Sequence, residues 1–339
     1  MSEKKLRKEV RVWCDGCYDM VHFGHANQLR QAKQMGTYLV VGVHNDEEIT
    51  NTKWVDEIVE DAPYSTTVQT LDKYKCDFVC MEVNDITLTA DGQDTYADVK
   101  RLGRYRECDR TPGVSTTDLS EHHERARTLS TDHEAQSPWT RISRFIPSTS
   151  TIMQFAEGRQ PAPNDKIVYV ICGSFDLFHI GHLCFLEEAK KLGDYLIVGI
   201  YSDQVVNEYR GQNYPIMTLH ERVLSVLSFK PVSEVVIGAP YSVTQELVDR
   251  FRIDVVVQGC HTDHHSTIDD VDCYELAKEL GIYRTVDSGN DMTTEKIIER
   301  IIDHKREFET RNRNKAKKEI ASYKALQKLK QKLELQMVY

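Results

Sequence analysis

His22-Phe23-Gly24-His25 and His179-Ile180-Gly181-His182 are one pattern, His-x-Gly-His, written twice at a spacing of 157 residues. Each copy follows an apolar run and a short turn ending in aspartate: Val10 to Trp13 then Gly16-Cys17-Tyr18-Asp19, and Ile167 to Cys172 then Gly173-Ser174-Phe175-Asp176. Two imidazoles at the mouth of a strand-to-helix turn are suited to holding nucleotide phosphates, because backbone N–H groups at a helix start already favour an anion.

Outward from the motif the copies stay aligned. Gly36 to Gly42 matches Gly193 to Gly199 at the same spacing, and both stretches are apolar and β-branched, as a second buried parallel strand requires. Between the strands, Asn27 to Met35 and Leu183 to Leu192 show helical spacing and end at glycine. Strand, His-x-Gly-His, helix, glycine, strand is a βαβ unit. The prediction is an α/β protein with two tandem doubly wound, Rossmann-like nucleotidyltransferase domains, at 8–119 and 165–302. A Ser/Thr/Pro-rich linker at 120–164, with a short docked segment at Trp139 to Phe155, separates them, and a basic helix at 303–339 follows.

Further along, the spacing changes to 177. Val55-Asp56-Glu57-Ile58-Val59 with Ala62-Pro63-Tyr64 matches Val232-Ser233-Glu234-Val235-Val236 with Ala239-Pro240-Tyr241, and Thr116-Thr117 matches Thr293-Thr294. The first copy therefore lacks 20 residues between Val43 and Trp54. The second copy shows what is missing: a Gly/Pro-rich loop carrying Arg210, then a helix with Thr218 as N-cap and Glu221 at the capping-box position. A parallel pair needs a crossover of about a dozen residues or more, so the first domain is expected to be compromised at this edge.

Composition bounds the rest. A chain of 339 residues can bury two cores, and a net charge of −10 argues against general nucleic-acid binding. No apolar run reaches membrane-spanning length, and Met1 to Glu9 carries no apolar stretch of the secretory type, so a cytoplasmic chain without a signal peptide is expected. Nine scattered cysteines fit reduced thiols. Cys14 and Cys17 have Cys-x-x-Cys spacing, but no second pair follows to complete four ligands, and buried strand thiols are preferred to a metal site. From Asp303 to Glu334 the terminal helix carries 11 Lys/Arg against 5 Asp/Glu. A solvated or domain-packing helix is preferred there, with a membrane-surface helix as the alternative.

The motifs define a chemistry. His22, His25, His179 and His182 can donate to phosphate oxygens and stabilise a pentacoordinate phosphorus as pyrophosphate leaves. Arg110-Thr111-Pro112-Gly113-Val114-Ser115-Thr116-Thr117 adds a bidentate phosphate fork and a helix start lined by hydroxyls. The second copy keeps the cap at Thr293-Thr294 but not the arginine.

These motifs, their tandem arrangement, and the runs Val12 to Asp19, Asn84 to Leu88, Gly103 to Cys108 and Asn213 to Met217 resemble the ethanolamine-phosphate cytidylyltransferases over nearly the whole chain. The resemblance implies a reaction of CTP with phosphoethanolamine, assisted by Mg²⁺, giving CDP-ethanolamine and pyrophosphate. It implies catalytic roles for His22, His25, Arg110, Ser115, Thr116, Thr117, His179 and His182. It places CTP near Gly16, Asp19, Gly173, Ser174, Phe175, Asp176, Arg210, Gln258, Gly259, Thr293 and Thr294. Tyr64 stands where choline-phosphate relatives carry tryptophan, and tyrosine suits a primary ammonium; Tyr241, its match, is the corresponding candidate in the second copy. Departures are equally specific. The first domain has no loop cation, and Met81-Glu82-Val83 replaces the family's His-Gly step; a carboxylate there would repel a triphosphate. The intact loop favours nucleotide binding in the second domain, while the catalytic pattern leans on the first. Rival readings are a CTP-binding regulatory or scaffold subunit, a choline-phosphate cytidylyltransferase, and an aminoacyl-tRNA synthetase fragment. The last is disfavoured by the missing Lys-Met-Ser-Lys-Ser loop. A homodimer and contact with the endoplasmic reticulum surface are left open.

Overall fold

The computed structural model describes residues 9–16, 18, 21–43, 51–63, 65–83, 94–111, 152, 154–155, 160–171, 173–211, 214–260 and 272–303. The chain divides into two compact units, Met1–Thr294 and Glu295–Tyr339, and both sheets lie in the first.

β1 (Arg11–Gly16), β2 (Tyr38–Val43), β3 (Glu57–Val59), β4 (Phe78–Glu82) and β5 (Tyr105–Cys108) form one parallel sheet in the order β3-β2-β1-β4-β5. β6 (Ile167–Ile171), β7 (Tyr195–Ile200), β8 (Glu234–Ile237), β9 (Val255–Gly259) and β10 (Tyr283–Val286) form a second with the same topology, β10-β9-β6-β7-β8. The predicted fold class is what forms. In each sheet the strand order reverses at the first strand, so β1 with β4, and β6 with β9, flank a crevice at their carboxyl ends where α/β proteins bind ligands.

The helices after β1 and β6 begin inside the His-x-Gly-His motif, earlier than apolar spacing alone predicted. α1 spans Phe23–Gln34; α2 (Val68–Lys73) and α3 (Ala97–Arg101) complete the first lobe. α4 (Ile180–Lys190) opens the second, followed by α5 (Asp203–Arg210), α6 (Leu219–Leu227), α7 (Gln245–Phe251), α8 (Glu275–Glu279) and α9 (Thr294–Asp303). α1 buries Phe23, Ala26, Leu29 and Ala32 on its sheet-facing side. Phe23 and Leu29 are fully buried, and each contributes about 1.5–3 kcal/mol of burial energy. Thr218 caps α6 and Glu221 closes the reciprocal capping box, as the sequence predicted.

The shortened crossover behaves differently from expectation. Thirteen residues separate β2 from β3, against 33 between β7 and β8. Yet β3 still pairs with β2, with Val40, Val41 and Gly42 opposite Glu57, Ile58 and Val59. Asp56 explains why: its carboxylate accepts from the Leu39 N–H at 2.6 Å and pairs with Lys33, and its own N–H donates to the Leu39 carbonyl at 3.1 Å. The sheet edge is intact; what the first lobe lacks is a counterpart of the loop and of α6 above it.

That absence is partly covered by the second lobe. Thr52 and Phe229 form an antiparallel bridge, flanked by Lys53 N–H to Ser228 O and Lys230 N–H to Asn51 O, both 2.8 Å. Thr52 and Phe229 are 177 residues apart, and the same shift carries Lys53 onto Lys230 and Asn51 onto Ser228, exchanging the two flanking bonds, so the two lobes meet about a local pseudo-two-fold axis, an isologous contact built within one chain. α6 packs against α1 across this contact. Lys230 donates from Nζ to the Val55 carbonyl at 3.0 Å. Of the expected docked segment, Phe155 is described and is fully buried, edge-on to Trp54 at 5.2 Å; 139–151 lie outside the described residues, as does the helix beyond Asp303.

Candidate active site

In the first lobe the turn after β1 takes Tyr18 into the left-handed region, φ 47°, and the second lobe repeats this at the matching Phe175, φ 46°. Such backbone is uncommon outside glycine and concentrates at functional turns. The turn delivers His22 as N-cap of α1. Its Nδ1 accepts from Gly24 N–H at 3.1 Å and His25 N–H at 3.4 Å, so the ring proton sits on Nε2, free to donate outward. The His22 and His25 rings stack 3.9 Å apart. Burial, then the neighbouring imidazole, pushes His22 well below the usual histidine range; burial brings His25 to about 4. Both are therefore neutral donors at pH 7, and two stacked cations are avoided. His25 Nδ1 is buried with no hydrogen-bond partner in the protein.

The second lobe repeats the stack at 3.8 Å but wires it the other way. His182 Nδ1 accepts from the His179 N–H at 3.3 Å, and His179 Nδ1 is the buried nitrogen without a partner. Burial lowers His179 to about 4; burial, then the neighbouring His179 and Arg210, pushes His182 well below the usual histidine range.

The second-lobe turn is anchored by buried charges. Asp176 is fully buried and accepts from Ile216 N–H at 2.6 Å and Met217 N–H at 2.8 Å, tying the turn to the loop. Burial pushes its carboxyl up against the opposing pull of these N–H groups and of Arg222. Arg222, also fully buried, donates to the carbonyls of Ser174, Tyr201 and Met217 and to the Asp203 carboxylate. Arg210 reaches Ser174 Oγ at 3.4 Å and stacks over Tyr214. The spacings place Ile216, Met217, Arg210 and Arg222 in the stretch the first copy lacks. Asp19, the match of Asp176, lies outside the described residues, as do Ser115, Thr116, Thr117, Tyr64 and Cys17.

The first lobe compensates with residues that motif reading missed. Asp15 is the strand residue before Gly16 and is buried. One oxygen accepts from Trp13 Nε1 at 3.1 Å and Thr66 Oγ at 3.0 Å, the other from Tyr96 OH at 3.1 Å. Cys172 stands at the matching position of the second copy. The readable signal was an aspartate closing an apolar strand directly before the turn glycine. Tyr18 is buried beside it; burial first, then the negative groups nearby, raises its hydroxyl well above the usual range. Arg110 is held at the crevice by its neighbours: Gln31 on α1 makes two hydrogen bonds to Asp109, and Asn27 donates to Thr111 Oγ at 2.9 Å. Glu82, at the carboxyl end of β4, lies 3.7 Å from Arg110 Nε.

Other predicted residues have structural occupations. Thr294 donates its hydroxyl to the Asp176 carbonyl at 3.0 Å, closing the turn. Gly181 is required by close approach, since a methyl there would stand 2.3 Å from the Met292 carbonyl oxygen. The Met292 carbonyl thus packs against the first turn of α4. Gln258 accepts from Tyr283 OH, while Gly259 ends β9. Gly173 turns with φ 109°. Tyr241 packs with Tyr201 and Tyr209 at 5.8 and 6.4 Å on the margin of the second core, and its carbonyl accepts from Tyr201 OH. Cys14 is a buried strand thiol donating to the Cys80 carbonyl.

Known proteins add a context to this geometry. The cytidylyltransferase-like family model matches residues 13–122 and 170–308. The chain is 50% identical to the ethanolamine-phosphate cytidylyltransferase of Mus musculus over 372 aligned residues, covering 93% of the chain and 91% of that protein. It is 46% identical to the Dictyostelium discoideum protein of the same name, with 94% and 98% covered. Choline-phosphate cytidylyltransferase 2 of Arabidopsis thaliana is 40% identical over 134 residues, a third of this chain. The mouse alignment is longer than the 339 residues of this chain, so that relative contains residues absent here.

Proposed function

The chain belongs to the ethanolamine-phosphate cytidylyltransferase family, and from that premise we propose that it transfers the cytidylyl group of CTP to phosphoethanolamine, forming CDP-ethanolamine and pyrophosphate for phosphatidylethanolamine synthesis. The observation that carries the reading is the start of α1, where neutral His22 and His25 stack, Asn27 bonds Thr111 beside Arg110, and Asp15 lies buried at the end of β1. A phosphate oxygen of phosphoethanolamine attacks the α-phosphorus of CTP. The bond to the β-phosphate oxygen breaks, and pyrophosphate leaves with the electron pair. No protein nucleophile enters; the protein positions and stabilises. The Nε2–H of His22 donates to the α-phosphate oxygens as charge grows on them, at no cost in reorganisation, because its Nδ1 is already fixed by the helix start. Asp15 offers a negative group for the substrate ammonium.

We place catalysis in the first lobe because Arg110, ahead of the hydroxyl-bearing Ser115, Thr116 and Thr117, has no counterpart in the second copy. Mg²⁺ fits as a companion of the nucleotide. Among the described residues no group of three His, Cys, Asp or Glu side chains is gathered, and an ion bound with the nucleotide would offset the triphosphate charge. The reaction is assigned to the cytoplasm; among the described residues no helix is long and apolar enough to cross a membrane. Contact with the endoplasmic reticulum surface through 303–339, and homodimerisation, are parts of this reading that vesicle co-sedimentation and sedimentation equilibrium test.

A second reading, a CTP-binding regulatory subunit without turnover, is favoured by one observation: Arg210 on Ser174 survives in the second lobe alone. Purified chain with CTP, Mg²⁺ and phosphoethanolamine separates the two. Formation of CDP-ethanolamine that is lost in His25→Ala supports the enzyme. CTP binding without product, abolished by His182→Ala, supports the regulatory subunit. Competition with phosphocholine reads the amine preference.

A further inference from the structure

We infer that Glu82 is a built-in counter-ion of Arg110 that sets the affinity of the first-lobe crevice for nucleotide phosphates. The inference rests on the first-lobe reading given above. Glu82 is the last residue of β4, paired beside Cys108 at the end of β5, and the switch point of the sheet lies between β4 and β1. Its side chain therefore stands on the rim from which His22 and Arg110 act. The matching strand end in the second lobe is Gly259, paired beside Val286, where no side chain projects at all. The first lobe thus has a carboxylate where its sister has only backbone.

The Arg110–Glu82 contact does little for stability. It is 3.7 Å long, and the arginine side chain is 62% exposed, the kind of pair that contributes close to nothing to folding. Arg110 is nevertheless kept in place, because Asp109 and Thr111 on either side of it are bonded to Gln31 and Asn27 of α1. A guanidinium so positioned is a phosphate fork. A triphosphate gripping it would come within a Debye length of Glu82, roughly 8–10 Å, and would meet like charge on a partly buried carboxylate. The nucleotide must therefore displace one negative group from the arginine and tolerate it as a neighbour. The loop cation that would offset this in the second lobe, Arg210, has no counterpart in the first. Glu82 acts on binding through charge, and it sets affinity with no role in the chemical step.

The test uses the full chain and CTP with Mg²⁺, measured by calorimetric titration and by steady-state kinetics. Glu82→Gln should tighten CTP binding about tenfold and lower KM for CTP to match, with kcat within about twofold and the thermal midpoint unchanged. Glu82→Asp should keep the wild-type affinity. In an Arg110→Ala background the Glu82→Gln gain should shrink to under about threefold, because the counter-ion no longer has an arginine to occupy. Equal affinities for wild type and Glu82→Gln, or Asp and Gln variants behaving alike, would overturn the inference. So would a gain of full size without Arg110. His25→Ala keeps the two readings apart. If it abolishes CTP binding while Glu82→Gln changes nothing, the first-lobe assignment stands and the counter-ion role fails. If it leaves binding intact, the first-lobe assignment itself fails and the counter-ion role with it.

Discussion

The two lobes are one topology drawn twice, and they have kept opposite halves of a phosphate site. The second holds its turn with a buried clasp: Asp176 on the loop N–H groups, and Arg222 on three carbonyls and a carboxylate. The first copy lacks the stretch that carries Arg222, and its described residues show Asp15, a pinned Arg110 and an Nε2–H on His22. The difference teaches that a stable turn and a reactive one are separable. In the second lobe the Met292 carbonyl packs on Gly181 of α4, and the first lobe leans on its sister through α6 and the Thr52–Phe229 bridge.

The largest break in that comparison comes from the histidines. His25→Ala should cut CDP-ethanolamine formation by about 10²–10³, the usual loss for one transition-state donor, while His182→Ala stays within about threefold. Equal losses would show that both lobes take part. Next is the clasp. Arg222→Met removes a buried cation from four acceptors and leaves Asp203 without it, which should cost about 3–5 kcal/mol in urea unfolding. Because α6 packs on α1, first-lobe activity should vanish in the same transition; activity surviving the melt would mean the lobes fold independently. Asp15→Asn is expected to raise KM for phosphoethanolamine about tenfold and leave KM for CTP unchanged.

Acid should act on both lobes alike. The buried histidines are neutral in the fold, with His25 and His179 near 4, whereas free histidine titrates near 6.5. Below about 6.5 the unfolded chain takes up protons that the fold refuses, so stability falls from there toward about 4, where the contributions of His25 and His179 level off. A flat denaturation midpoint between pH 7 and 4.5 would contradict these depressed values. The smallest effect belongs to the lobe contact. Lys230→Met loses one hydrogen bond to the Val55 carbonyl from a lysine that burial already pushes down, and the change in stability should stay under about 1 kcal/mol.

Much of this was legible in the chain. A 157-residue spacing of identical strand, turn and helix signals can only mean a repeated βαβ unit, because alternation of apolar strands with helical spacing admits few topologies. The change to 177 gave the missing 20 residues by subtraction. What the spacing could not show was how the first sheet edge survives the loss. That depends on Asp56, an ordinary acidic residue in sequence, bonding to Leu39 and Lys33 on an element 17 residues earlier and on the helix before it. The partners of Asp15 are likewise invisible along the chain, since Thr66 and Tyr96 come from separate crossovers.

The sequence by itself determined the family, the α/β class, the tandem plan and the histidine pairs, because each is written in local spacing or in motif identity. Tertiary structure decided which groups face one another: Glu82 against Arg110, Met292 over Gly181, and Thr52 on Phe229. Those are contacts between residues far apart in the chain, and their energies depend on distance and burial, which no one-dimensional pattern encodes.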